Sequence, residues 1–101
     1  MTLDCSGNNL TSLDVSGCPK LEKLTCSENK LASLSAGTCP NLTELDCSNN
    51  NLKTLSTAAL SSLTKLTCSG NSLTSMDLSA NKKLEQLECR ENSLSSLDVS
   101  G

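Results

Sequence analysis

Seven cysteines, eleven carboxylates and no histidine set the chemistry open to this 101-residue chain. Thiols can ligate soft metals, exchange disulfides or attack electrophiles when they are ionised and within reach. Their spacing points elsewhere. Cys5, Cys26, Cys47, Cys68 and Cys89 recur every 21 residues without an insertion or deletion. Each opens Cys-Ser-x-Asn-x-Leu, or Cys-Arg-x-Asn-x-Leu in the last case. No Cys-x-x-Cys occurs, so a zinc site lacks both its histidines and its spacing. An odd count argues against a fully paired disulfide framework. Side chains in register on parallel strands point the same way and make poor bridges. The five thiols are therefore expected to pack as small hydrophobes, and Cys18 and Cys39, one period apart at a second turn, to do likewise.

Other routes to catalysis fare no better. Without histidine, the serine hydroxyls have no visible base, the carboxylates fall in surface columns, and no glycine-rich phosphate loop is present. The chain reads as no enzyme, with no cofactor and no metal. Net charge is −3, with lysines and acids interspersed, and Phe, Tyr and Trp are absent. Neither the basic field nor the stacking side chains of a nucleic-acid binder exist. No apolar run approaches the ~18 residues of a membrane span.

A strict period means one structural unit copied and stacked. Aligned on itself, the chain reads Leu21-x-x-Leu24-x-Cys26-x-x-Asn29-x-Leu31, then Leu34-x-Ala36-x-x-Cys39. Alternation in Leu24-x-Cys26 predicts a short half-buried strand, ended by the asparagine. Leu13-x-Val15 and Leu34-x-Ala36 repeat it, so each coil should have two extended arms. No segment carries a helical period. Asn8, Asn29, Asn50, Asn71 and Asn92 form a second ladder, whose amides should satisfy the turn backbones of adjacent coils. Departures from the pattern are few: Thr57 stands where an apolar residue is expected, and Leu60 and Asn81 replace cysteine at the second turn.

Over essentially its whole length the chain resembles the leucine-rich-repeat family, whose hallmark is Leu-x-x-Leu-x-Leu-x-x-Asn/Cys-x-Leu. It is most similar to the bacterial 21-residue class with nested half-repeats, found in internalin-like surface proteins where cysteine can form an inward ladder. The resemblance implies a protein- or glycan-binding scaffold and an extracellular or cell-surface location, although the chain enters the repeat at once and shows no signal peptide of its own.

The predicted fold is a leucine-rich-repeat solenoid of about five coils: parallel in-register strands, mostly β and loop, with little or no helix. Residues 1–101 read as one domain of five units, the first and last incomplete, with no terminal caps. Extended arms on both sides should leave the stack nearly straight and roughly 24 Å long.

Function could lie in the outward columns. Lys23, Glu44, Lys65 and Gln86 form one, with charges alternating in sign so that each lysine has an acidic neighbour; Thr25, Asp46, Thr67 and Glu88 form the next. Together they make a candidate interaction face for a protein or glycan, or else a merely solvated one, since aromatic and arginine anchors are scarce. A Ser/Thr face on the other arm (Ser12, Ser33, Thr54, Ser75, Ser96) is too poor in threonine and too rich in neighbouring aspartates to suggest ice binding. Exposed ends carry a second reading, in which Leu3 and Cys5 of one copy meet Leu97 and Val99 of another and copies stack head-to-tail into filaments.

Overall fold

Three residues are as long as a strand can be here, because Leu-x-x-Leu-x-Cys-x-x-Asn commits the chain to a turn soon after each central leucine. The computed structural model describes residues 2–15, 20–35, 39–55, 57, 60–92 and 96–98. Nine strands of that length follow one another: β1 (Thr2–Asp4), β2 (Ser12–Asp14), β3 (Lys23–Thr25), β4 (Ser33–Ser35), β5 (Glu44–Asp46), β6 (Lys65–Thr67), β7 (Ser75–Asp77), β8 (Gln86–Glu88) and β9 (Ser96–Asp98). Among the described residues there is no helix.

The first arms form a five-stranded parallel sheet in the order β1-β3-β5-β6-β8. Its register is the sequence period: Leu3 faces Leu24, Leu24 faces Leu45, Leu45 faces Leu66, and Leu66 faces Leu87. On the second arms β2 pairs with β4 and β7 with β9, also parallel and 21 residues apart. Where both arms are paired, the two sides of the coil share one strand spacing, and nothing wedges them apart. The body measures 29 × 25 × 17 Å.

Among the described residues the second-arm strands form two separate pairs rather than one sheet. Residues 54 and 55 form no strand. At this coil a side chain adds to the backbone bonds between coils, such as the Ser72 amide to the Leu52 carbonyl (2.8 Å): Asn81 Nδ2 donates to the carbonyl oxygens of Thr57 (2.8 Å) and Leu60 (3.0 Å).

Between the arms lies a core of repeated columns. Leu21, Leu42 and Leu63, then Leu24, Leu45 and Leu66, then Cys26, Cys47 and Cys68, then Leu31, Leu52 and Leu73 are all within 1% of complete burial. Cysteine shares the leucine's side because residues two apart along a strand point the same way. Each leucine so buried contributes about 2 kcal/mol, which is how a core forms without aromatics. Leu3, Cys5, Leu10, Leu87 and Cys89, in the first and last coils, are only partly buried.

Two residues after each ladder cysteine the backbone turns left-handed. Gly7, Glu28, Asn49, Gly70 and Glu91 all have φ between 55° and 71°. This conformation swings the chain from the strand into the asparagine turn, and glycine or asparagine takes it at least cost. Glu28 and Glu91 take it too, each between a ladder cysteine and the ladder asparagine that follows.

Candidate interaction face

The parallel sheet presents outward every residue that the sequence marked for it. Strand pairing sets Lys23 beside Glu44, Glu44 beside Lys65 and Lys65 beside Gln86. The same pairing aligns Asp4, Thr25, Asp46, Thr67 and Glu88. Lys23, Thr25, Glu44, Asp46, Lys65, Thr67, Gln86 and Glu88 are thus one contiguous patch, all exposed or half-buried.

Charge pairing on it is thinner than the alternating signs predicted. Lys23 Nζ lies 3.9 Å from Glu44 Oε1, both half-exposed, a contact worth little in water. Lys65 forms no ion pair among the described residues, because adjacency in a column does not fix the ends of long side chains. Its ammonium and the Glu88 carboxylate stay available. Asp46 is committed instead to the turn that follows it: its Oδ1 accepts from the Ser48 amide (3.1 Å) and hydroxyl (2.8 Å). Asp4 accepts from the Ser6 amide at 3.0 Å, and this bond holds its carboxyl below the usual carboxylate range.

Relief across the patch is shallow. One depression, of about 220 Å³, runs from Thr2 to Lys65 along β1, β3, β5 and β6. Another, of about 420 Å³, lies over Lys65, Thr67, Gln86 and Glu88. Both include Lys65 and Thr67, which stand at the centre of the combined surface.

The thiols lie on the opposite side of the sheet, in the core. Burial pushes Cys26 and Cys68 up to about 12 and Cys47 well above the ordinary thiol value, so at neutral pH they are protonated and inert. Neighbouring thiols in the ladder push in the same direction. Cys39 Sγ donates to the Val15 carbonyl at 3.2 Å, a structural bond. Cys18 lies outside the described residues. Among the described residues no cluster of Cys, Asp or Glu could hold a metal ion.

Asparagine supplies the links between coils. Asn29, Asn50, Asn71 and Asn92 each donate Nδ2 to the carbonyl of the cysteine 24 residues earlier, at 3.0–3.1 Å. Each also accepts, at 3.1 Å, the amide of the leucine 19 residues earlier. Asn8, in the first coil, bonds only to Cys5 and Ser6 of its own turn.

Chain segments 2–37, 19–60 and 40–80 match the family model described as leucine-rich repeats (2 copies). The chain belongs to the leucine-rich-repeat family. Among solved structures it is similar to the functional domain of InlJ from Listeria monocytogenes, described as including a cysteine ladder, with a TM-score of 0.88 and 36% identity. The match covers 97% of this chain and 24% of that one, so this leucine-rich-repeat chain spans about a quarter of its neighbour's length. No match is found among curated protein sequences. An internalin-like repeat scaffold with an inward cysteine ladder is what fold and comparisons agree on.

One feature of this leucine-rich-repeat stack escaped the sequence reading. Thr57 and Asn81, taken there only as departures from pattern, form a buried pair: Thr57 Oγ1 donates to Asn81 Oδ1 at 2.8 Å, and Asn81 Nδ2 returns to the Thr57 carbonyl. Their separation of 24 residues was the available signal, since it also joins Cys47 to Asn71 and Val15 to Cys39. Thr57→Val is expected to cost about 2 kcal/mol by stranding Asn81 Oδ1, and Asn81→Cys a similar amount by stranding the threonine hydroxyl. The double variant reproduces the Val15–Cys39 arrangement and should recover most of the loss. Urea titrations of the four proteins check this; additive losses would mean the pair is not coupled.

Proposed function

We propose that this chain is a non-catalytic binding scaffold that meets a protein or glycan partner through the outward face of its parallel sheet, on a bacterial surface. The observation that carries this reading is the contiguous patch around Lys65 and Thr67, where charged and hydroxyl groups lie open on a rigid, buried-core sheet. Rigid presentation lowers the ordering cost of binding. The internalin-like likeness supports the same class of role and the same location.

A glycan and protein array probed with the chain tests it. Lys65→Glu should weaken a genuine signal at least tenfold, by removing one attraction and adding one repulsion, whereas Ser12→Lys, on the exposed second arm, should leave it intact. Binding indifferent to Lys65→Glu, Lys23→Glu and Thr67→Lys alike would overturn the face assignment.

A second reading is head-to-tail stacking of copies. It draws on one observation: β1 and β8 are the edges of the sheet, and their leucines, Leu3 and Leu87, are only partly buried. Of the other residues considered for such a junction, Cys5 is half-buried beside Leu3, Leu97 lies in β9, and Val99 falls outside the described residues.

A further inference from the structure

We infer that the two sheet edges of this chain fit one another as successive coils do, and that a carboxylate pair, Glu88 against Asp4 of a second copy, holds such copies apart until one of the two takes a proton. This rests on the stacking reading and adds to it the contacts and the condition for assembly.

The fit follows from bonds repeated at each internal interface. The amides of Cys5, Cys26, Cys47 and Cys68 donate to the carbonyls of Thr25, Asp46, Thr67 and Glu88, each at 2.8 Å. Ladder asparagines donate back to the preceding cysteine carbonyl, as described above. At the β8 edge the counterparts are the Cys89 amide and carbonyl. At the β1 edge they are the Asp4 carbonyl and the Asn8 side chain, which bonds only within its own turn. Docking a second copy in the 21-residue register matches Cys89 N–H to Asp4 C=O and Asn8 Nδ2 to Cys89 C=O. The same step sets Leu87 on Leu3 and Gln86 on Thr2.

It also sets Glu88 on Asp4. Inside the sheet, acids of this column are always separated by threonine: Asp4, Thr25, Asp46, Thr67, Glu88. Five strands with this alternation place an acid at both edges, so in this sheet a junction between copies is where two carboxylates of the column would stand directly opposite, as Asp77 and Asp98 already do across β7 and β9 on the second arm. Asp4 faces Thr25 across its strand pair, with Lys23 diagonal and the Ser6 amide bonded to it. Glu88 faces Thr67, with Lys65 diagonal and Gln86 and Arg90 alongside. Across the junction Arg90 would lie diagonal to Asp4, a longer reach than the direct opposition of the two acids. Bringing the carboxylates together raises the affinity of one for a proton, so association takes up a proton and strengthens as pH falls.

Sedimentation of the 101-residue chain as a concentration series at pH 7 and pH 5 tests this, with circular dichroism confirming that each variant is folded. Glu88→Gln and Asp4→Asn should each raise the association constant at pH 7 by about fivefold, and each should flatten its pH dependence. Asp46→Asn removes the same charge from the same column but away from the edge, and should leave association at the parent level. Adding Leu3→Lys to Glu88→Gln should abolish assembly. If Leu3→Lys abolishes assembly but Glu88→Gln associates no better than Asp46→Asn, stacking stands and the carboxylate pair is overturned. If no variant associates at either pH, or Leu3→Lys changes nothing, the stacking reading falls and the inference with it.

Discussion

Replacing Asn50 with alanine is expected to lower stability by about 3 kcal/mol, while the same change at Asn8 costs under about 1 kcal/mol. The two residues hold the same place in the repeat and differ in what surrounds them. Asn50 is 6% exposed. Its Oδ1 accepts the Leu31 amide at 3.1 Å, and its Nδ2 donates to the carbonyls of Cys26, Cys47 and Ser48 at 2.9–3.1 Å. Those carbonyls keep other donors: Asn29 still reaches Cys26, Asn71 still reaches Cys47, and the Glu28 amide still reaches Ser48. The Leu31 amide does not, and Leu31 is fully buried. A stranded buried donor accounts for about 2 kcal/mol, and the lost bonds and small void for the remainder. Asn8 is exposed and bonds only to its own turn. Because coils touch only their neighbours, a fault at Asn50 also divides the stack near its middle. Urea titrations monitored by far-ultraviolet circular dichroism measure both variants. Equal losses at the two positions would mean that the cross-coil bonds carry no stability.

What could be read from the residues, and what could not, divides along covalent lines. Register was legible because strand pairing is the 21-residue offset itself: once Leu24 and Leu45 hold equivalent places, their neighbours Lys23, Glu44, Thr25 and Asp46 align without further information. The eight face residues and the asparagine ladder follow from that one fact. Three features depend on geometry that a period does not encode. The left-handed turn is visible as Gly7 and Gly70 but hidden where Glu28 and Glu91 occupy it, since nothing in glutamate announces a positive φ. Lys65 stands beside Glu44 as its column predicts, yet a column fixes backbones and leaves the ends of four-carbon side chains to solvent. Thr57 and Asn81 looked like two separate departures. They are one substitution in two halves, since a polar residue in the core at one coil requires a matching amide at the next.

Raising the pH from 8 to 11 is expected to destabilise the chain steeply, with a loss of at least about 2 kcal/mol for each unit above pH 9. Cys26, Cys47 and Cys68 are fully buried, and burial raises all three, Cys26 and Cys68 to about 12. In the unfolded chain the same thiols ionise near the ordinary thiol value of 9.0. Between those values the folded state binds protons that the unfolded state has released, so stability falls as pH rises; below 9 both states are protonated and the effect vanishes. Cys26 and Cys68 each contribute about 1 kcal/mol per unit across that window, and Cys47 adds to the loss in the same direction. Together such losses reach the whole stability of a typical small domain, about 5–10 kcal/mol, before pH 12. Burial raises Cys5, half-buried in the first coil, in the same direction. Urea titrations under reducing conditions at pH 8, 9 and 10 give the slope directly, and Cys47→Ala should make it shallower, whatever it does to stability at pH 8. A midpoint that stays level from pH 9 to 10 would mean that the folded stack ionises its ladder as readily as the unfolded chain does, and that the buried thiols are not the protonated core this structure describes.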